Sequence, residues 1–466
     1  MQTNTATNNP LGTLPVKGLI WKFAIPGIIS QLVNSFHNIV DQMFIGWSIG
    51  DLGIAATNIV FPLTSIITAL SALIGMGAAS RFSIYLGKND REQASDVFGN
   101  AITLMVFFGV LISLITSIFL YPMLYLFGST DMMIPYAAPY ARIICLGIPF
   151  GIFSTGMSYF IRADGNPNYS SFVLLSGAIF NMVFDPIFLF GFDMGITGVA
   201  LATTLGQVLS TVLALYYLIK KCKTVSLLRQ NFRLQTTVVI SIFSLGISTF
   251  TTHILAIVAQ ILQMNALKTY GAMSIYGSEI VIASSGAISK LSIVFLSSII
   301  GIAIGCQPIF GFNLGNKKYD RVKETYLLAL RYGTTVAATA FVILQLFPKP
   351  LLSIFGSDNP LFYEFATKYI RIYMAVLFLN ALQPITSTFC TAIGKAKLGF
   401  WMAVIRQGFL MIPLLLVLPA LFELNGVLLV GPISDGIAAI VVIFIGLRQI
   451  KQLTQMKMKI AMDMGN

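Results

Sequence analysis

ISIFSLGISTFTTHILAIVAQIL, residues 240–262, contains no aspartate, glutamate, lysine or arginine. A helix of about 20 apolar residues crosses the roughly 30 Å hydrocarbon core of a bilayer, and this stretch reaches that length. Similar stretches recur through all 466 residues, of which 56% are hydrophobic and only 10% are charged, with a mean hydropathy of +0.84. Soluble domains carry about 25% charged residues. The sequence therefore predicts an all-α, polytopic membrane protein.

Short polar or Gly/Pro-rich segments separate the apolar stretches and set the number of membrane crossings. YLGKNDRE at 85–92 and IRADGNPN at 161–168 are two of these segments. A disordered lead-in is predicted over residues 1–16 and a cytoplasmic tail over residues 451–466. Twelve transmembrane helices are predicted, at 17–45, 53–83, 95–121, 133–160, 168–190, 196–219, 236–265, 278–311, 323–347, 362–389, 398–421 and 427–449.

An internal duplication relates the two halves of the chain. Three pairs of similar segments share one offset of 228 residues: 85–93 with 313–321, 126–129 with 354–357, and 197–207 with 425–435. Each half holds six helices, so the two copies enter the membrane in the same orientation. Parallel repeats of this kind are typical of transporters with a cavity between two helical bundles. We therefore predict two six-helix lobes, at 17–219 and 236–450, joined by a linker at 220–235 around a central cleft.

The net charge of +12 is distributed unevenly between the predicted loops. Lysine and arginine cluster in one set of alternate loops, for example at 220–233 and 317–323, whereas Asp131 and Asp193 lie in the opposite set. This positive-inside bias predicts a multi-pass protein of the cell membrane with both termini in the cytoplasm. We expect anionic lipid headgroups to contact the basic loops. We expect no nucleic-acid partner, and we expect the protein to be a monomer.

Polar side chains form a stripe on the first predicted helix. Gln31, Asn34, Asn38 and Asp41 are 3, 4 and 3 positions apart, which places them on one helix face. A charge near the bilayer centre costs at least about 2.5–3.5 kcal/mol, so this stripe should face protein or water. Gln31 and Asn34 are candidates for the substrate path. Pro26 removes a backbone hydrogen bond from the same helix and predicts either a fixed bend or a hinge.

Helices 5 and 6 contribute a second set of polar groups. Asn181 and Asp185 share one face of helix 5 at i, i+4, and Thr203 lies on helix 6. Carboxylate, amide and hydroxyl oxygens suit either Na⁺ or a proton-linked hydrogen-bond network. Two neighbouring carboxyls can also share one proton near neutral pH. The alternative is an interhelical polar cluster that only fixes packing.

The second half lacks an acid equivalent to Asp185, because the residue 228 positions later is Pro413. The ion site should therefore lie in one lobe. Asp435 is an exception, and it is either part of a second ion or substrate site or a carboxylate bonded to nearby backbone or to Lys290. Met157 is another candidate for the substrate path, because methionine side chains line pockets that accept varied ligands.

Five segments, taken together in their order and spacing, resemble the multidrug and toxic compound extrusion (MATE) family. They are VDQMFIG at 40–46, GMGAASRFSIYLGKND at 75–90, RADGNP at 162–167, DPIFLFGFDMGITGVALATT at 185–204 and QPIFGFNLGNKK at 307–318. The resemblance runs over nearly the whole chain. Because helix 7 contains no acid, the chain looks most similar to the DNA-damage-inducible-like branch of bacterial and archaeal members.

This resemblance implies two six-helix lobes around a cleft that opens alternately to either side of the membrane. It carries Asp41, Asn181, Asp185 and Thr203 onto the cation site of the family, with Na⁺ or H⁺ as the coupling ion. It also implies a first helix that bends, which favours Pro26 as a hinge.

The function implied by the resemblance is secondary-active antiport. Amphipathic, mostly cationic organic compounds would leave the cell in exchange for inward H⁺ or Na⁺. The alternative is a flippase for a lipid-linked saccharide or other amphiphile of the same broader superfamily. Flipping a lipid-linked saccharide would need a basic cleft for diphosphate, whereas the helix-embedded charges of the first lobe are acidic. The sequence contains no HExxH, GxSxG or nucleotide-binding loop. We therefore expect no enzyme activity and no cofactor other than the coupling ion.

Overall fold

The computed structural model describes residues 9–222, 224–225, 228–353 and 359–465, and these residues are almost entirely α-helical. This confirms the predicted fold class. We number the membrane helices in chain order: α1 Val16–Ile49, α2 Leu52–Gly87, α3 Arg91–Ile118, α4 Ile134–Ala163, α5 Pro167–Gly191, α6 Ile196–Lys221, α7 Thr236–Ala272, α8 Gly277–Gly315, α9 Tyr319–Leu346, α10 Pro360–Tyr373 with Leu377–Ala392, α11 396–422 and α12 424–465.

Within the described ranges, ten helices are long and apolar enough to cross a membrane, and the two parts of α10, bent by 46°, form an eleventh span. One of the ten, Ala396–Met458, has 63 residues. Its length of about 95 Å is three times the hydrocarbon core. Glu423, with a φ of 51°, breaks this helix into α11 and α12. Counting those two parts separately gives the twelve predicted crossings.

The duplication is visible in the backbone. Asn89 and Lys317 occupy the left-handed region, with φ of 61° and 56°, and they are 228 positions apart. Gly195 and Glu423, also 228 positions apart, have φ of 56° and 51°. Positive φ is uncommon for residues other than glycine, so its repetition at one offset indicates equivalent turns in both halves. The paired segment at 354–357 lies outside the described residues.

Capping residues explain where two of the helices begin. The Asp90 carboxylate accepts a hydrogen bond from the Gln93 N–H at 3.1 Å, at the start of α3. The Asn166 side chain accepts one from the Tyr169 N–H at 3.4 Å, and Pro167 opens α5. Asp and Asn are preferred at this position, and proline at the first helical residue costs no hydrogen bond. The polar segments that break the apolar stretches are therefore also the starts of the next helices.

The two halves meet closely in the part of the bundle nearer the basic loops. Gly27 of α1 lies against Gly301 of α8, and a Cβ on Gly27 would be 2.8 Å from the Gly301 carbonyl oxygen. Gly77 of α2 lies against Gly246 of α7, and a Cβ on Gly77 would be 2.7 Å from the Gly246 nitrogen. Small residues allow membrane helices to approach this closely. The bundle is therefore closed at its basic end.

The lead-in predicted as disordered is ordered from residue 9 onward, and the preceding residues lie outside the described range. Residues Pro10–Thr13 form one helical turn in which Leu11 is 1% exposed. Asn313 Nδ2 donates to the Leu11 carbonyl at 2.9 Å, and Arg321 Nη2 donates to the Leu14 carbonyl at 2.7 Å. The prediction was wrong here because the polar composition of the segment gave no sign of these partners, which lie at the end of α8 and the start of α9.

The linker between the halves lies on α3. Asn100 Nδ2 donates to the carbonyl oxygens of Asn231 at 3.0 Å and Arg233 at 3.1 Å, and Asn100 Oδ1 accepts from the Gln235 N–H at 2.8 Å. Asn231 Nδ2 in turn donates to Asp96 Oδ1 at 2.7 Å. These buried amides fix the end of the linker to the first half.

Candidate functional site

Three helices of the first half bring the predicted ion-coupling residues together. Asp41 comes from α1, Asn181 and Asp185 from α5, and Thr203 from α6. The site lies in the half of α1 that is farther from the closed, basic end. Asn181 and Asp185 are buried, at 1% and 0% exposure, while Thr203 is half-buried.

The Asn181 amide connects α5 to α6 within the site. Its Nδ2 donates to Asp185 Oδ1 at 3.1 Å and to Thr203 Oγ1 at 2.9 Å. Both of its N–H groups are therefore used within the cluster. The amide orients the carboxylate and the hydroxyl, and its own oxygen is left as an acceptor.

Two buried oxygens of this cluster have no hydrogen-bond partner among the described residues: Asp185 Oδ2 and Asn181 Oδ1. Buried polar atoms are usually hydrogen-bonded, and an unpaired acceptor in this position calls for an explanation. Asn181 Oδ1 is always an acceptor, and Asp185 Oδ2 is an acceptor when the carboxyl group is ionised, so the two oxygens match a bound cation or a proton on the carboxyl group. Within the described part of the chain, Asp185 also has no basic ion-pair partner.

Asp41 has a titratable neighbour on its own helix. His37 Nδ1 lies 3.0 Å from Asp41 Oδ1, at i, i+4, and both side chains are 14% exposed. The Asp41 carboxyl also interacts electrostatically with Asp185 and with the buried phenol of Tyr140 on α4. The spacing of His37 was visible in the sequence, but no local pattern indicated Tyr140.

The remaining polar residues of α1 are more open. Asn34 and Asn38 are exposed, and Gln31 is half-buried. Asn38 Nδ2 donates to the Asn34 carbonyl at 2.7 Å. Exposed amides in a membrane helix are tolerated where they meet water or protein. Their exposure is compatible with the substrate path predicted for Gln31 and Asn34.

Pro26 lies in the tightly packed part of α1, which stays helical across it. Its carbonyl oxygen accepts from Ser30 Oγ at 2.8 Å and from Ser171 Oγ of α5 at 2.7 Å. The second of these hydrogen bonds ties the backbone of α1 to α5 at the proline. Pro26 is therefore the residue of α1 that contacts α5, and it lies next to the contact of Gly27 with α8.

Two candidates for the substrate path lie elsewhere. Met157 is 0% exposed in α4, so in this structure it packs in the core of the first half and does not line an open passage. The place of Met157 on the substrate path stays a prediction. Asp435 of α12 lies in the second half, where its Oδ1 accepts from Arg406 Nε at 2.7 Å. The partner is thus neither backbone nor Lys290, and Arg406 was missed because it lies on a different helix.

The fold and this cluster together define the class of the protein. It is a polytopic α-helical membrane protein with two repeated halves and a buried, oxygen-rich acidic site in the first of them. A model of the MatE family matches residues 26–187 and 255–417, which is well over half of the chain. The chain belongs to the MatE family, and it is therefore a membrane transporter and not an enzyme.

Relatives are similar to this chain in sequence, and a solved structure is similar to it in fold. The multidrug export protein MepA of Staphylococcus saprophyticus is 25% identical over 432 residues, covering 92% of this chain and 93% of that protein. MepA of Staphylococcus haemolyticus is 26% identical over 423 residues, with 91% of each covered. A structure described as the outward-facing conformation of a multidrug resistance MATE family transporter of the MOP superfamily has a TM-score of 0.89 at 21% identity, covering 97% of this chain and 99% of that one.

Proposed function

We propose that this transporter is a secondary-active antiporter that exports amphipathic organic cations in exchange for inward H⁺ or Na⁺. The observation that carries the proposal is the pair of buried, unpartnered oxygens on Asp185 and Asn181. A carboxylate that stayed ionised at this buried position without a partner would be costly. A coupling ion that binds and leaves would supply such a partner.

The proposed exchange depends on competition for the carboxylates. When Asp41 and Asp185 are free of the coupling ion, their negative charge stabilises a cationic cargo molecule. Entry of H⁺ or Na⁺ neutralises that charge, and the cargo cation loses its counter-ion. Each inward charge supplies about 2.3 kcal/mol per 100 mV of membrane potential. A bend of α1 at Pro26 would transmit the change, because α1 carries Asp41 at one end and the interhelical glycine contact at the other.

The choice of cargo is supported by the relatives and by the chemistry of the site. The MepA proteins are named as multidrug export proteins. Carboxylates beside aromatic rings favour organic cations, because the ring faces also attract positive charge. Phe180 and Phe184 stack at 4.1 Å on α5, the helix that carries Asp185.

The membrane orientation is part of the proposal. The positive-inside rule places the basic loops, both termini and the linker in the cytoplasm, where anionic headgroups can contact the lysines and arginines. In that orientation the closed end of the bundle faces the cytoplasm, and the ion site is reached from outside the cell membrane. We further propose that the protein works as a monomer, because each chain carries both halves of the duplicated bundle.

Ethidium efflux from proteoliposomes tests the proposed function. The purified protein is reconstituted, and an inward Na⁺ gradient and an inward pH gradient are imposed in separate experiments. At least one gradient should accelerate efflux severalfold over vesicles without a gradient, and dissipating it should remove the acceleration. Efflux that responds to neither gradient would rule out the antiporter.

The flippase alternative has less support. A lipid-linked diphosphate is recognised by hydrogen-bond donors, above all by arginine. The cluster of Asp41, Asn181, Asp185 and Thr203 instead offers acceptor oxygens, and the amide donors of Asn181 are already used.

A further inference from the structure

Two helices of the second half are irregular around the same point. The two parts of α10 are bent by 46° at a break between Tyr373 and Leu377. In α11, the segment Val404–Met411 is π-helical. Broken membrane helices are tolerated where they line a cavity, and π-helical turns often occur at functional sites. The side chain of Arg406 projects from this π-helical segment and lines a small cavity with Asn380, which lies three residues after the start of the second part of α10.

Charged and polar side chains form one part of the wall of that cavity, and leucine and alanine side chains form the rest. Arg406 pairs with Asp435, their side chains are 27% and 12% exposed, and Asn380 and Gln383 complete the polar part of the wall. Tyr373 interacts electrostatically with both members of the pair. An arginine and an aspartate within membrane helices suggest a functional site, because burying both charges in lipid is expensive.

The ion pair is only partly satisfied. Among the described residues, Nε is the one Arg406 nitrogen that makes a hydrogen bond, although a guanidinium has five donors. Asp435 likewise uses Oδ1 alone. Next to the pair, the buried Gln407 Oε1 has no partner in the described part of the chain. Apolar residues of similar volume often stabilise a core as well as a buried ion pair does, or better. Stability alone therefore does not account for this pair.

We propose that Asp435 is a second binding site for cationic cargo and that Arg406 occupies it when no cargo is present. The inference rests on the proposed function in taking organic cations as the cargo. An ammonium or aromatic cation displaces the guanidinium, so the carboxylate stays paired in both states and the displaced guanidinium needs other hydrogen-bond acceptors. The displaced guanidinium moves toward the side-chain oxygens of Asn380 and Gln383.

Aromatic rings beside the pair define the class of cargo. Tyr373 stacks on Tyr369 with ring centroids 5.1 Å apart and an interplanar angle of 16°. Gln263 of α7 holds both phenols, donating to Tyr369 OH at 3.0 Å and accepting from Tyr373 OH at 3.4 Å. A flat organic cation can pair with the Asp435 carboxylate while it packs on the Tyr373 ring. A small inorganic cation cannot cover the ring face, so the tyrosines favour a flat organic cation over it.

Ethidium affinity of the purified protein, measured by fluorescence at fixed pH and fixed Na⁺, tests this inference. Arg406→Gln removes the competing cation and should tighten binding about tenfold. Asp435→Asn leaves Arg406 unpaired and should weaken binding about tenfold or more. The double variant should bind as weakly as Asp435→Asn. Arg371→Gln, an exposed arginine on α10, is the matched control and should leave the affinity unchanged.

The outcomes separate a cargo site from a structural pair. Unchanged or weaker binding by Arg406→Gln would overturn the inference, because a structural pair gives no reason for tighter binding. If Arg406→Gln does not fold, Arg406→Lys replaces it. A lysine ammonium lacks the planar, multi-donor guanidinium, so cargo should displace it more easily and bind severalfold more tightly. Unchanged or weaker binding would again overturn the inference. Failure of the wild-type protein to bind any organic cation would instead count against the proposed function itself.

Discussion

Asp185 and Asp193 lie eight positions apart, and their surroundings are opposite. Asp185 is 0% exposed and has an unpartnered oxygen among the described residues, whereas Asp193 is exposed in the turn before α6. Asp185→Asn keeps the shape of the side chain and removes the charge that the coupling ion exchanges with. Gradient-driven ethidium efflux should fall at least tenfold, while Asp193→Asn should transport at the wild-type rate. Normal efflux by Asp185→Asn would contradict the assigned role.

The Asn181 amide supplies a second test at the residue scale, in a double-mutant cycle. Asn181→Leu removes both donors and leaves Asp185 Oδ1 buried without a partner, which should cost about 1–3 kcal/mol of stability. In the background of Asp185→Leu the same change should cost less, because no carboxylate remains to be satisfied. Denaturation of the four proteins in detergent measures the coupling. Additive effects would show that the two side chains do not act together.

Local spacing predicted the parts of the site that lie on one helix. Spacing of three or four positions identifies neighbours on one helix face. It predicted the pair Asn181 and Asp185 and the polar stripe that ends at Asp41. The contribution of Tyr140 and Arg406 could not be predicted from local spacing. Their partners come from other helices, and a single sequence does not say which helix faces pack together.

At the scale of elements, the close contact of α1 with α8 can be tested with two glycines of the same helix. A Cβ on Gly301 would be 2.5 Å from the Ile28 nitrogen, whereas a Cβ on Gly286 would meet nothing within 4 Å. Gly301→Ala should therefore cost about 1–3 kcal/mol through overpacking. Gly286→Ala should stabilise α8 by up to about 1 kcal/mol.

Thermal unfolding in detergent, followed by circular dichroism, distinguishes the two variants. The midpoint should fall for Gly301→Ala and should stay the same or rise for Gly286→Ala. Equal shifts in both would mean that α1 and α8 do not pack as described.

The number and type of elements were the most predictable feature, because hydrophobic length and polar breaks determine where membrane helices begin and end. The irregularities within helices were not predictable to the same degree. The break in α10 and the π-helical segment of α11 occur inside apolar stretches whose composition resembles that of regular helices. The kink at Glu423 was predicted only as a loop, between the predicted helices at 398–421 and 427–449.

At the scale of the whole molecule, the segment before α1 joins the start of the chain to the second half. Leu11 is 1% exposed and lies within this contact, whereas Leu14 is 40% exposed. Leu11→Ala should cost about 2–5 kcal/mol, and Leu14→Ala should have little effect. Unfolding midpoints in detergent would show the difference. If both variants unfold like the wild-type protein, the segment does not help to hold the basic end closed.

The whole molecule is a duplicated bundle whose two halves carry differently paired carboxylates. The first half has Asp185 without a basic partner in the described residues, and the second has Asp435 paired with Arg406. The asymmetry follows from the sequence, because the repeat partner of Asp185 is Pro413 and that of Asp435 is Gln207. Divergence of the repeats therefore gives the two halves different carboxylate sites: among the described residues, the one in the first half has no basic partner and the one in the second half is paired.

The central claim is that the acids of the first half exchange a small cation for cargo, and thermodynamic linkage tests it most directly. Ethidium affinity of the purified protein is measured while pH and Na⁺ concentration are varied separately. The account predicts that lower pH, higher Na⁺ or both weaken ethidium binding, and that this weakening disappears in the double variant Asp41→Asn with Asp185→Asn. An ethidium affinity of the wild-type protein that depends on neither ion would contradict it.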